Sequence, residues 1–336
     1  MTGLRQRGAA LLAAMLTVTL VASFAAATLW QQWRAVEVET AERARVQAGW
    51  ILLGALDWSR LILVEDGRAS GTDHLDEPWA VPLEEARLST FLAAEKNTVQ
   101  VDDASVDTTD AFLSGQIVDL QARLNLRNLL PSEAQSKVAK RQFERLFERL
   151  GLSPAELTLL VEGLRRAQQG SEQDAPLLPA SAEQLGWLGL SPTTVALLAP
   201  HVAMLPKAMP VNVNTASVDV LWAAIDGLDQ AGAMKLVQTR GARYFRSIDE
   251  VKQALGNDVN LPDGNVLSVG SSFFEVRGRL RLGSTTVEER SQVERYMGQV
   301  YVLWRQRSAL PPPAQLNAQM GPDSRPSPVK SLSVLP

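Results

Sequence analysis

Asp73, His74, Asp76 and Glu77 fall within five consecutive residues. Three carboxylates and an imidazole at that spacing could hold a divalent cation. The competing reading is a loop over residues 71–79 that feeds a strand anchored by Trp79, and it is the one adopted. Arg277, Arg279 and Arg281 recur at every second residue. They could bind a polyanion, but that period also describes the wet face of a strand, which is preferred. The 336 residues include only two histidines, His74 and His201, and no cysteine. That excludes thiolate metal sites and cysteine nucleophiles, and leaves a catalytic triad or a multi-histidine metal site very little to draw on. There is no Gly-x-Ser-x-Gly elbow, phosphate-binding loop, His-Glu-x-x-His motif or dinucleotide fingerprint. An enzyme is therefore not expected, and carboxylate pairs are the one catalytic arrangement left open. The formal net charge of −4 argues against a role in neutralising a phosphate backbone.

The most informative stretch is the N-terminus. Arg5 and Arg7 precede an uncharged run from Ala9 to Leu29. As a helix this run spans about 31 Å, the hydrocarbon thickness of a bilayer. The two arginines place the N-terminus in the cytoplasm and the remainder outside it. A small-residue cleavage site within Ala25 to Ala27 is the rival reading. The helical pattern nevertheless continues past Trp30 through mixed charges to Glu65, with Asp66-Gly67 as its stop.

Beyond it, residues 111–120 and 123–126 read as strand, tight connection, strand. A helical block follows. Val138, Phe143, Leu146, Phe147 and Leu150 form an apolar stripe that ends at Gly151, and Ser153-Pro154 opens the next helix. Short helices are expected over 182–188, 192–198 and 202–205. Residues 218–225, Asp226-Gly227-Leu228 and 231–240 read as a helix-hairpin-helix, with a last helix to Leu255. DNA-binding hairpins present two glycines to a phosphate, whereas here the second position is Asp229 and the local charge sums to zero, so no nucleic acid is expected. Asn212 and Asn214 read as turn and N-cap residues. Phe274, Val276, Leu280 and Leu282 alternate with Glu275 and the three arginines in a half-wet strand. Residues 285–296 read as a polar edge strand and 300–304 as the final strand. Residues 308–336 are expected to be a disordered tail.

The short basic leader ending in Gly8, followed at once by an uninterrupted apolar helix, resembles type IV pilin-like proteins. The fifth position after that glycine is Ala13, not the glutamate of major pilins. This habit, together with Glu77-Pro-Trp-Ala80, Ile117-Val-Asp-Leu120, Leu124-Asn-Leu-Arg-Asn128 and the segments 211–216, 273–281 and 300–305, resembles the K-type minor pseudopilins of type II secretion systems. The resemblance implies an α+β fold. A long N-terminal transmembrane helix packs on an antiparallel sheet that carries a large all-α insertion of helix-hairpin-helix or SAM-like type. It implies a prepilin leader at 1–8 and a membrane-spanning part at 9–29, anchored between Ala9 and Leu29. The periplasmic part of that helix is 30–66, and the sheet begins in 67–130. The insertion is 131–257, strands at 258–307 complete the sheet, and the tail is 308–336. Cleavage between Gly8 and Ala9 by a prepilin peptidase is implied, with methylation of Ala9. So is an inner-membrane, single-pass chain whose bulk lies in the periplasm, at the tip of the pseudopilus, initiating assembly with I-, J- and H-type minor pseudopilins. Some family members bind calcium. Here Glu172 and Asp174 are the only acids between Gln169 and Ala180, so no cofactor is expected and no calcium ligand is assigned; metal binding elsewhere is open. The alternatives are a membrane-anchored DNA receptor of the competence type and a minor pilin of a type IV pilus.

Overall fold

The computed structural model describes residues 6–90, 111–130, 133–170, 174–256, 266–283 and 285–310. The expectations for the basic leader at Arg5, for Glu172 and for the tail beyond Leu310 lie outside these residues.

The first element, α1 (Gln6–Ala69), is a single helix of 64 residues, about 96 Å at 1.5 Å per residue. Its N-terminal part contains an 18-residue window of mean hydropathy 2.2, none of it buried. That part is long and apolar enough to cross a membrane. Gly8 and Ala9 both lie within the helix. Only the C-terminal part packs on protein. Ala48, Leu52, Leu56, Ser59 and Leu63 are buried and recur at intervals of three or four, so they form one stripe. The helix does not stop at Asp66-Gly67. Asp66 Oδ2 accepts a bond from Arg295 Nη1 at 2.7 Å, and a Cβ on Gly67 would stand 2.9 Å from Arg295 Cδ. The same arginine therefore holds the next turn in place.

That stripe lies on a five-stranded antiparallel sheet ordered β1-β2-β7-β8-β9. Its strands are β1 (Leu83–Arg87), β2 (Ala111–Asp119), β7 (Phe273–Leu282), β8 (Thr285–Tyr296) and β9 (Gln299–Leu310). Trp79 is buried in a short 3-10 turn, Pro78–Ala80, ahead of β1 rather than in a strand. Ala48 and Leu52 meet Leu113, Leu280 and Val287, while Leu56 and Leu63 meet Phe274, Val276, Val293 and Val300. β2 thus runs alongside α1 toward the helix C-terminus.

Residues 285–296 are not an edge strand. β8 lies between β7 and β9, and the long edge is β9, with Tyr301, Val302 and Leu303 exposed. Several polar residues are tolerated inside the sheet because a cross-strand partner meets them. Glu289 takes Arg307, Gln292 takes the Trp304 indole, and Glu275 sits between Arg277 and Arg290. Glu275 is accordingly buried, not on the wet face. β9 also continues to Leu310, so residues 308–310 belong to the strand rather than to the tail.

Between β2 and β7 the chain builds a second core from helices α2 (Glu133–Leu150), α3 (Pro154–Gln169), α4 (Pro192–Leu198), α5 (Val218–Ala224), α6 (Gln230–Ala242) and α7 (Ile248–Leu255). Phe143, Leu146 and Phe147 of the α2 stripe are buried in it. Gly151 follows with φ 67°, and the Ser153 hydroxyl caps α3 by accepting from Ala155 N. Residues 182–188 form a 3-10 helix instead of an α-helix. Residues 123–126 do not pair back on β2. A 3-10 turn, Leu120–Ala122, leads to β3 (Leu124–Asn125), which runs parallel to β4 (Val202–Ala203), where a helix was expected. Asn125 draws the two segments together. Its Oδ1 accepts from Leu205 N at 3.2 Å, and its Nδ2 donates to Lys207 O at 2.8 Å.

Candidate functional site

Four backbone segments meet at the end of the sheet nearest the C-terminus of α1. They are the loop after α1, the end of β2, the stretch from β5 (Val211–Asn212) to Thr215, and the stretch from β6 (Leu267–Ser268) to Ser271. β5 and β6 pair in parallel. The side chains that bind these segments together are all polar. Asp119 lies at the centre, 3% exposed. Its Oδ1 accepts from Gln121 N at 2.7 Å. Its Oδ2 accepts from the hydroxyls of Thr215 (2.6 Å) and Ser271 (2.7 Å) and from Asn212 Nδ2 (3.1 Å). Beside it, Asp73 Oδ2 accepts from Ser271 N at 2.7 Å and from Arg295 Nη2 at 2.7 Å. Arg295 also reaches Asp66 and the Ser271 carbonyl.

Asn212 and Asn214 are not N-caps. The cap of α5 is Ser217, whose hydroxyl accepts from Val220 N. Asn212 Nδ2 donates to Asp73 O, Asp119 Oδ2 and Ser271 Oγ, while its Oδ1 accepts from Asn214 N. Asn214 pairs with both backbone groups of Phe245. Asn212 ties the helical block to the sheet, and Asn214 holds Phe245 within the block. Each offers N–H donors and a carbonyl acceptor on one short side chain, whereas an ionised carboxylate only accepts.

Burial pushes the Asp119 carboxyl up to about 6 from an ordinary 3.8, against the opposing pull of its hydroxyl partners. The folded protein therefore binds this proton more tightly than the unfolded chain. The stabilisation is complete below pH 3.8 and is lost as pH rises through 6. Between pH 5 and pH 7.5 this group should lower stability by about 1 kcal/mol. Urea unfolding of the wild type and of Asp119→Asn at both pH values checks this, because the variant should lack that increment.

Asp73, His74, Asp76 and Glu77 do not converge as one set of ligands. Asp76 is exposed, and His74 stacks on Tyr244 with ring centres 3.8 Å apart. The acids that do converge are Asp66, Asp73 and Glu77. Their charge is met by protein donors. Arg295 bonds both aspartates, and Glu77 Oε2 accepts from His74 N and the Trp79 indole. Calcium takes six to eight oxygen ligands, water included, and with Arg295 already bonded to both aspartates this cluster is an ion-paired one rather than an open calcium cage.

The hairpin is equally committed. Gly227 adopts φ 73° in the turn, and the Asp229 carboxylate caps α6, accepting from Gly232 N at 2.7 Å. Arg145 stacks over Trp222 and donates to the carbonyls of Trp222 and Leu228. The helix start that a phosphate would need is thus filled by a side chain of the same charge sign.

Reading the sequence missed Asp66, Asp119, Ser271 and Arg295. The one signal available was Asp119 itself, an acid closing an apolar strand run and followed at once by leucine.

Residues 122–207 match the family model "Type II secretion system (T2SS), protein K", and residues 211–269 match a second model of the same description. The two lie in order along the helical block and the polar junction. Both matched stretches are similar to the type II secretion system protein K family. Type II secretion system protein K of Pseudomonas aeruginosa is 29% identical over 306 residues, covering 83% of this chain and 85% of that one. Its counterpart from Pectobacterium carotovorum subsp. carotovorum is 27% identical over 325 residues, covering 90% and 96%. Among solved structures, a chain of the GspK-GspI-GspJ complex from enterotoxigenic Escherichia coli superposes with a TM-score of 0.61 at 20% identity. That match covers 80% of this chain and 98% of that one. The fold is therefore that of a protein K pseudopilin, with its long apolar helix and antiparallel sheet.

Proposed function

We propose that this chain is a protein K that works at the tip of the type II secretion pseudopilus, where it starts and caps the filament together with I- and J-type minor pseudopilins, and with the H-type below them. The observation that carries this reading is the place of the helical block. It is joined through Asp119, Asn212 and Ser271 to the end of the sheet nearest the α1 C-terminus, opposite the apolar end of the helix. With Ala9 to Leu29 in the inner membrane and the head in the periplasm, the block crowns the membrane-distal end, where a subunit stacked above would collide with it. That the related Escherichia coli protein was solved with GspI and GspJ supports the choice of partners.

Cleavage after Gly8 and methylation of Ala9 by a prepilin peptidase belong to the same proposal. Mass spectrometry of the N-terminal peptide, from protein made together with its peptidase, should find N-methylated Ala9. A start at Met1, or a cut near Ala27, would remove the pseudopilin processing. Cysteine crosslinks from the helical block should reach only the end of the filament, and crosslinks spread along the shaft would argue for an ordinary filament subunit.

A further inference from the structure

Beneath α1 the sheet holds a row of five residues in register: Leu83, Gly115, Gly278, Glu289 and Arg307. The two glycines strip the middle of the row of side chains. α1 bridges the resulting hollow, a cavity of about 250 Å³. Its walls are apolar, from Leu52, Leu56, Ile62, Trp79 and Ile117. Its mouth lies where the lining residues are exposed, at Trp58 and Val81. A cavity of about 150 Å³ accepts benzene, so this one has room for a two-ring aromatic group.

Glu289, 4% exposed, also lines the cavity. Arg307 Nε and Nη2 both donate to Glu289 Oε2. The other oxygen, Oε1, is buried and has no hydrogen-bond partner among the described residues. A buried acceptor left without a donor is costly and rare. The group that would complete it is a donor. Arg307 already balances the carboxylate charge, so a neutral N–H costs less to bring in than an ammonium.

We propose that the cavity receives a tryptophan side chain of a partner polypeptide, with the indole ring in the apolar hollow and its N–H donating to Glu289 Oε1. Indole combines the required apolar bulk with a single donor, and aromatic anchors in such pockets dominate protein interfaces. This rests on the reading above only in that the head has protein partners.

The test titrates full-length protein in detergent with N-acetyl-tryptophanamide, followed by saturation-transfer NMR. The benzothienyl isostere, which lacks the N–H, serves as the comparison. Ala55→Leu, which fills the cavity from α1, gives the background from the micelle. The wild type should bind the tryptophan amide saturably and about tenfold more tightly than the isostere. Ala55→Leu should lose the binding, and Glu289→Leu should lose the preference. Equal binding of the two ligands to the wild type, or undiminished binding to Ala55→Leu, overturns the proposal. Failure to co-purify with I- and J-type partners while the preference persists would count against the tip assignment alone and leave the cavity's chemistry supported.

Discussion

Gly270→Ala should destabilise the head by about 3 kcal/mol or more, a loss readily seen as a lowered urea midpoint. A Cβ at this position would be driven into the Gly71 carbonyl oxygen and would stand 3.4 Å from Asp73 Oδ2. Neither strand of the clash is free to retreat. Asp73 N donates to Val269 O at 2.9 Å and Ser271 N donates to Asp73 Oδ2 at 2.7 Å, so the two backbones are stitched on both sides of the glycine. Relief of the clash must break those bonds and, with them, the contact of Arg295 on Asp73. Gly71→Ala is the control. A Cβ there would meet nothing within 4 Å, and its cost should stay within about 0.5 kcal/mol. Equal effects of the two substitutions would show that the close approach does not constrain the junction.

Asp119→Ala should cost at least about 3 kcal/mol and should loosen the helical block from the sheet before it unfolds either core. The substitution removes the acceptor shared by four donors, from Gln121, Asn212, Thr215 and Ser271, of which Asn212 keeps Asp73 O and Ser271 Oγ and Thr215 keeps only a 3.4 Å contact to Asn212 O. Only Gln121 N belongs to the same local turn, and the other three come from segments more than ninety residues away in the chain. Hydrogen exchange should therefore rise first at residues 211–215 and 267–271. The amides of α2 and α3, whose core is built by Phe143, Leu146, Phe147 and Leu160, should hold their protection. Asp119→Asn keeps one carbonyl oxygen but turns an amide donor toward donors, and should fall between the alanine variant and the wild type.

The elements read best from the sequence were those whose period and caps agree. α2 and α3 each combine an apolar stripe with a recognisable boundary, and Ser153-Pro154 announced its helix by local chemistry alone. The failures share a cause. The expected hairpin at 111–126 and the expected helix at 202–205 are short segments whose pairing is decided by Asn125, a residue that acts across eighty positions. β8 read as an edge because its polar residues look wet until Arg307 and Trp304 arrive from the next strand. The junction was invisible for the same reason. Asp66, Asp119, Ser271 and Arg295 are ordinary polar residues in isolation, and only the return of the chain from its helical block brings them together. Asn212 and Asn214 were noticed but given a local role, because local capping is the commoner use of an asparagine before a helix.

The exposed stretch of α1 has a mechanical consequence. Helix surface is solvent-exposed from Leu29 until Arg43, and the first fully buried residue is Ala48. That is about 28 Å of bare rod, braced by the i,i+3 and i,i+4 pairs Glu42–Arg45 and Glu39–Arg43. On the proposed anchor, with Ala9 to Leu29 filling the hydrocarbon layer and about 6 Å of the rod among the headgroups, the head stands more than two Debye lengths above the lipid surface at physiological salt, since one is about 8 Å. Lipid charge is screened out over that distance and cannot attract or orient the head. What the bilayer transmits instead is leverage. A helix tilt of about 20° swings the base of the head sideways by about 10 Å, so the angle at which neighbouring helices grip the anchor sets where the head is presented.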